Sequence, residues 1–145
     1  MRRDLVTSVV RAAGIIDADY QKLAVWQKAH AVAMDVYRVS KRFPRRDGLI
    51  LRGQLQRAAL SMPANIAEGA GKVGRVEFAR YLEIALGSAS ETQYHLLAAR
   101  DLELLDVAKF DDLSTRVTEV RRMLFGLIKR VRSATTEQQQ TSSTA

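Results

Sequence analysis

Two histidines, a glycine triplet and two groups of cations are the residues here whose types and spacing could do chemistry. A di-iron centre in a helical protein needs Glu-x-x-His on two helices plus two more Glu residues. Only His30 and His95 exist, and Glu91 precedes His95 by four positions instead of three. No metal site is expected, and His30, on an apolar stripe, reads as a core or interface histidine. No Ser, His and Asp grouping supplies a nucleophile with its base. Zero cysteines remove disulfides, thiolate metal sites and a cysteine nucleophile. Gly69, Gly71 and Gly74 spell G-x-G-x-x-G, yet a dinucleotide site needs a strand before the glycines, and here the preceding pattern is helical. A phosphate loop fails too, because Val73 follows Lys72 where Ser or Thr is required and position 66 is Ile. The glycines read as a helix stop and a turn. The expectation is a non-enzyme with no catalytic residue and no cofactor.

The cations are the best remaining candidates for a binding surface. Lys41, Arg42, Arg45 and Arg46 form one group, and Arg121, Arg122, Lys129, Arg130 and Arg132 form another. The net charge of +7 is unevenly spread: residues 20–47 carry seven cations and two anions, residues 109–132 seven and three, while residues 77–108 carry two and six. Either an acidic helix packs among basic ones, or the basic surface serves a polyanion. Cations near helix C-termini also have a simple cause in the helix dipole. No aromatic residue is assigned to either group, so any nucleic-acid binding is expected to be phosphate-directed, salt-sensitive and weakly sequence-specific.

Pro63 lies inside a helical apolar pattern made by Leu51, Leu55, Ala58, Ala59, Met62, Ile66 and Ala70. A proline there typically costs ~3 kcal/mol, since it lacks the N–H that would bond back four residues and its ring crowds that carbonyl. A kinked helix held by dense packing is expected. Asn65 and Glu68 follow one turn apart. They could line an axial channel, or they could satisfy backbone groups and a protomer contact, with Glu68 pairing to Lys72; the structural reading is preferred.

These residues need elements to position them, and the periodicity supplies four helices and no strand. The first spans about 23–42, with Val25, Ala29, Val32, Val36, Val39 and Phe43 in one stripe and Trp26, His30, Ala33 and Tyr37 in a second. Two stripes mean a wide buried face. The second helix spans about 49–70 and the third about 75–105, whose small middle around Gly87 suggests close approach of a neighbouring backbone. In the fourth, Phe110, Leu113, Val117, Val120, Leu124, Leu127 and Val131 recur at alternating steps of three and four, the seam of a bundle. Short connections make an all-α, antiparallel up-down-up-down four-helix bundle, with the two basic groups at opposite poles.

At 145 residues and 47% hydrophobic, the chain fits one domain with its own core. The expected division is an N-terminal extension at 1–19, the bundle at 20–132 and a disordered polar tail at 133–145. No apolar run reaches the ~20 residues of a membrane span. Arg11 interrupts the apolar stretch of a would-be signal peptide, so a cytoplasmic location is expected.

LAVWQKAH at 23–30, VYRVSKRFP at 36–44, QLQRAALSMPANIAEGAGK at 54–72 and EFARYLEIALGSASE at 77–91 resemble the bacterial four-helix-bundle proteins encoded in intervening sequences of large-subunit (23S) ribosomal RNA. The accessory variability determinant of diversity-generating retroelements resembles the same family. That resemblance implies a homopentamer with a basic outer surface and, by way of the retroelement relative, RNA or DNA and a reverse transcriptase as partners. Trp26, His30, Tyr37, Pro63, Asn65, Glu68 and Gly87 are then candidates for structural and oligomer contacts. One departure is Gly74, where the family has a helix-capping Ser before Glu77; the reciprocal capping box is lost.

Overall fold

The computed structural model describes residues 19–144. A 3-10 turn at Tyr20–Lys22 leads into four helices, α1 Ala24–Ser40, α2 Arg45–Ala70, α3 Arg75–Asp101 and α4 Val107–Ser143, with no strand among the described residues. The expected extension at 1–19 lies, apart from Asp19, outside the described residues; Asp19 caps the 3-10 turn through its carboxylate and the Gln21 N–H.

Cross-helix pairs give the register. Ser61 meets Ser88 and the Gly69 backbone lies on Tyr81, so α2 and α3 run antiparallel. Gln93 reaches Thr118 while Glu83 reaches Arg132, which makes α3 and α4 antiparallel. Lys28 with Glu119 and Asp35 with Arg116 do the same for α1 and α4. Each helix thus packs on two neighbours, α1 and α3 sitting across one diagonal and α2 and α4 across the other. The four-helix bundle read from the sequence is the fold.

The core follows the predicted stripes, with two shifts. Leu113, Val117, Val120, Leu124 and Val131 of α4 are buried, but Ile128 takes the place expected for Leu127, which is only half-buried. A straight helix advances 3.6 residues per turn, so a strict step of 3.5 drifts off the core after a few turns. On α1 the first stripe enters the core and the second does so only in part. From the second stripe Ala33 is buried, Trp26 half-buried, and His30 and Tyr37 exposed. The core option for His30 is therefore removed, because α1 has helices on two sides only.

Helix ends differ from the sequence reading where local chemistry differs. Pro44, with φ −56° and ψ 135°, sits at the N-cap of α2 and its restricted φ leads directly into the helix, so Arg45, Arg46 and Asp47 form the first helical turn instead of a loop. Helix α3 stops at Asp101, not near 105, because Glu103 turns left-handed at φ 61° and the Leu104 N–H bonds back to the Ala99 carbonyl. Asp106 then caps α4 through the Lys109 N–H at 2.8 Å. Gly74 begins α3 at φ 98° with no side-chain cap, a conformation that a Ser would resist. The polar tail expected to lack structure instead continues α4 to Ser143. Extension costs little once a packed helix exists, and hydroxyls such as Thr136 and Thr141 bond to carbonyls one turn back.

Helix α2 passes through Pro63 as one element from Arg45 to Ala70, and Pro63 is buried. Rising 1.5 Å per residue, α2 and α3 are ~40 Å long, α1 only ~25 Å and α4 ~55 Å. Helix α1 covers part of the bundle's length, and α4 projects beyond it.

Candidate nucleic-acid interface

Contacts between the connections define the two poles. A methyl at Gly48 would lie 3.5 Å from Leu104, which puts the α1–α2 turn beside the α3–α4 connection. At the other pole the Arg75 guanidinium donates to the Ala134 carbonyl at 3.0 Å, placing the α2–α3 turn beside α4. The two predicted basic groups therefore stay apart.

At the first pole Lys41, Arg42, Arg45 and Arg46 are all exposed. Lys41 rests its ammonium 5.4 Å from the Tyr37 ring centroid. Among the described residues no carboxylate pairs with Arg42, Arg45 or Arg46. The dipole accounts for Lys41 and Arg42 at the end of α1, but it opposes Arg45 and Arg46, which stand at the positive N-terminus of α2. Arg52 and Arg57, further along α2, are likewise without a carboxylate partner.

The second group is spread along α4. Arg121 donates to the Gln93 side chain at 2.9 Å and Arg132 pairs with Glu83, both on α3. Arg122 and Arg130 are exposed and form no ion pair among the described residues, and Lys129 lies 5.0 Å from the Phe125 ring centroid. Near the second pole a half-open cleft of about 440 Å³ is lined by Arg75, Arg80, Glu83 and Arg132. The expectation that no aromatic residue accompanies the cations is corrected: Tyr37 and Phe125 each lie under a lysine.

A family model described as the 23S rRNA-intervening sequence protein matches residues 21–126. The chain belongs to that family. A search of curated proteins finds no match. Among solved structures, a protein of unknown function from the S23 ribosomal protein family of Bacteroides thetaiotaomicron is similar at 27% identity and a TM-score of 0.68, over 73% of this chain and 99% of that one. The match to the 23S rRNA-intervening sequence protein family takes in the first-pole cations together with Arg121 and Arg122, while Lys129, Arg130 and Arg132 fall beyond it.

Other predicted residues are placed as follows in this family member. The Asn65 amide donates to both the carbonyl and the hydroxyl of Ser61 at 2.8 Å, and that hydroxyl meets Ser88 across the α2–α3 seam. Glu68 reaches Lys72 at 4.0 Å, so the two polar residues turn to different neighbours. Trp26 stacks on His30 with centroids 4.8 Å apart and meets Tyr20 edge-on. Gly87 is exposed, and among the described residues a methyl there would touch nothing within 4 Å. The close approach belongs to Gly69, whose added Cβ would come within 2.6 Å of the Tyr81 Cβ.

The acidic segment at 77–108 makes mostly local pairs, Glu77 with Arg80, Glu91 with His95 and Asp101 with Arg100; Glu83 with Arg132 is its one ion pair to another helix among the described residues. Neutralisation by a neighbouring acidic helix thus leaves most of the basic surface uncovered. Among the described residues no group of three His, Cys, Asp or Glu side chains could hold a metal ion, and no helix is long and apolar enough to cross a membrane. Sequence reasoning missed Phe125 although its signal was present: position 125 falls off the buried seam between Leu124 and Ile128, so an aromatic residue there is turned out of the core.

Proposed function

We propose that this chain is a cytoplasmic, non-enzymatic bundle that assembles as a homopentamer and offers basic surface to RNA or DNA, as an accessory to an RNA or retroelement system in which a reverse transcriptase is the protein partner. One observation carries the nucleic-acid reading. Arg42, Arg45 and Arg46 are exposed and, among the described residues, without carboxylate partners, and two of them sit where the helix dipole disfavours a cation. Such an arrangement loses free energy in the isolated chain and regains it when a polyanion docks. Assembly is supported by the exposed His30 and Tyr37 of α1 with the half-buried Trp26 stacked on His30, and by exposed Leu60 on α2 and exposed Ile84, one turn before Gly87 on α3.

A second reading rests on Leu49 and Ile50, exposed on α2 next to Arg45 and Arg46, with Ile50 at 82% exposure. An apolar pair beside cations suits a protein ligand, and in that reading the charge only keeps the chain dispersed. A titration of labelled RNA and DNA across salt concentrations separates the two. Binding at low salt that weakens as salt rises, by about 0.7 in log affinity per log salt for each neutralised phosphate of a single strand, supports the first. Reversal of Arg45 and Arg46 to Glu should weaken that binding with little change in melting temperature. Absence of binding at low salt leaves the protein-ligand reading.

A further inference from the structure

Arg121, Phe125, Lys129 and Arg132 recur at steps of four, four and three, so they share one face of α4, with Arg122 next to them. We propose that this stripe takes single-stranded nucleic acid, with a base stacked on the Phe125 ring and the flanking phosphates held by the cations on either side. The inference rests on the nucleic-acid reading above and deepens it by naming the strand form and the residue that selects it.

Phe125 is 55% exposed and lies outside the core, so its ring does little for the fold. An isolated exposed phenylalanine is ordinary, but this one has Arg121 and Arg122 within one turn before it and Lys129 one turn after. The Lys129 ammonium covers one ring face at 5.0 Å. That exposed cation–π contact is weaker than a base stacked on the same face, and the lysine loses nothing on moving to a phosphate, its stronger partner. Arg121 and Arg132 are already steadied from α3 by Gln93 and Glu83. A guanidinium has five N–H donors, so these contacts leave donors for phosphate oxygens. The two arginines are separated by ~16 Å along the helix axis, room for phosphates on both sides of a stacked base. A duplex keeps its base faces inside its own stack and can use only the cations.

The test is fluorescence anisotropy on the full chain with three labelled probes of equal phosphate number: an RNA single strand, an abasic phosphodiester strand and an RNA hairpin duplex. The wild-type protein should bind the RNA strand roughly tenfold more tightly than the abasic strand. Phe125→Ala should abolish that difference and leave abasic and duplex affinities unchanged, and Phe125→Trp should restore it. Both variants should melt near the wild type, since the site is exposed. Equal wild-type affinity for the RNA and abasic strands, or an RNA affinity indifferent to Phe125→Ala, overturns this inference while the phosphate-directed reading stands. Failure of all three probes to bind at low salt overturns both.

Discussion

At the scale of single residues the two central glycines have opposite meanings. Gly69 is buried where α2 presses on Phe78 and Tyr81, and a methyl group would need 2.6 Å where no real contact is that short. Gly69→Ala should therefore destabilise by about 1–3 kcal/mol through overpacking, measured by chemical denaturation. Gly87 sits in open space on α3, so Gly87→Ala should gain about 0.5–1 kcal/mol from helix propensity. A loss there would mean that a neighbouring protomer's backbone passes over position 87. Within the single chain it is Gly69, not Gly87, that receives a neighbour. Gly87 stood alone in a small patch and drew attention, whereas Gly69 was absorbed into a glycine-rich stretch that read as a turn.

At the scale of elements the α1–α4 seam is held by ion pairs. Arg116 lies 2.8 Å from Asp35 while Arg38 approaches from the same helix at 2.9 Å. The hydrogen bond from Arg116, its charge and the same two contributions from Arg38 outweigh desolvation and hold the Asp35 carboxyl below its ordinary 3.8. A depressed folded value means that the pairs stabilise fully above 3.8 and that this contribution is lost as pH falls through the lower, folded value. Asp35→Asn should accordingly be less stable than the wild type at neutral pH, and the two stability curves should converge in acid. The effect should be small, because Asp35 is half-exposed. The distal part of α4 is different in kind. Its described side chains from Thr136 onward are exposed, so deleting residues 137–145 should leave the melting temperature unchanged while far-UV circular dichroism falls in proportion to the helix removed.

At the scale of the whole molecule, the charge distribution and the uncovered apolar faces are the open features. The proposed assembly makes a definite expectation: light scattering should report a particle near five chains, and a stable monomer would remove the interface role given to Trp26, His30 and Tyr37. The two poles should also respond differently. Reversal of Arg45 and Arg46 removes sequence-independent phosphate contacts, whereas Phe125 on the α4 stripe adds only to strands with accessible bases.

The sequence by itself determined the number and type of the helices and most of the core, because a period of 3.6 in apolar residues has one physical solution, a buried stripe on a helix. It also marked Lys41, Arg42, Arg45 and Arg46, since charge is a property of residue type and survives any folding. Only the tertiary structure decided which residues of the second α1 stripe face solvent, that within the chain Gly69 and not Gly87 receives a neighbour, and which arginines find a carboxylate. Those outcomes depend on groups brought together from distant positions, such as Arg132 with Glu83 or Gly69 with Tyr81, and no local pattern encodes such a distance.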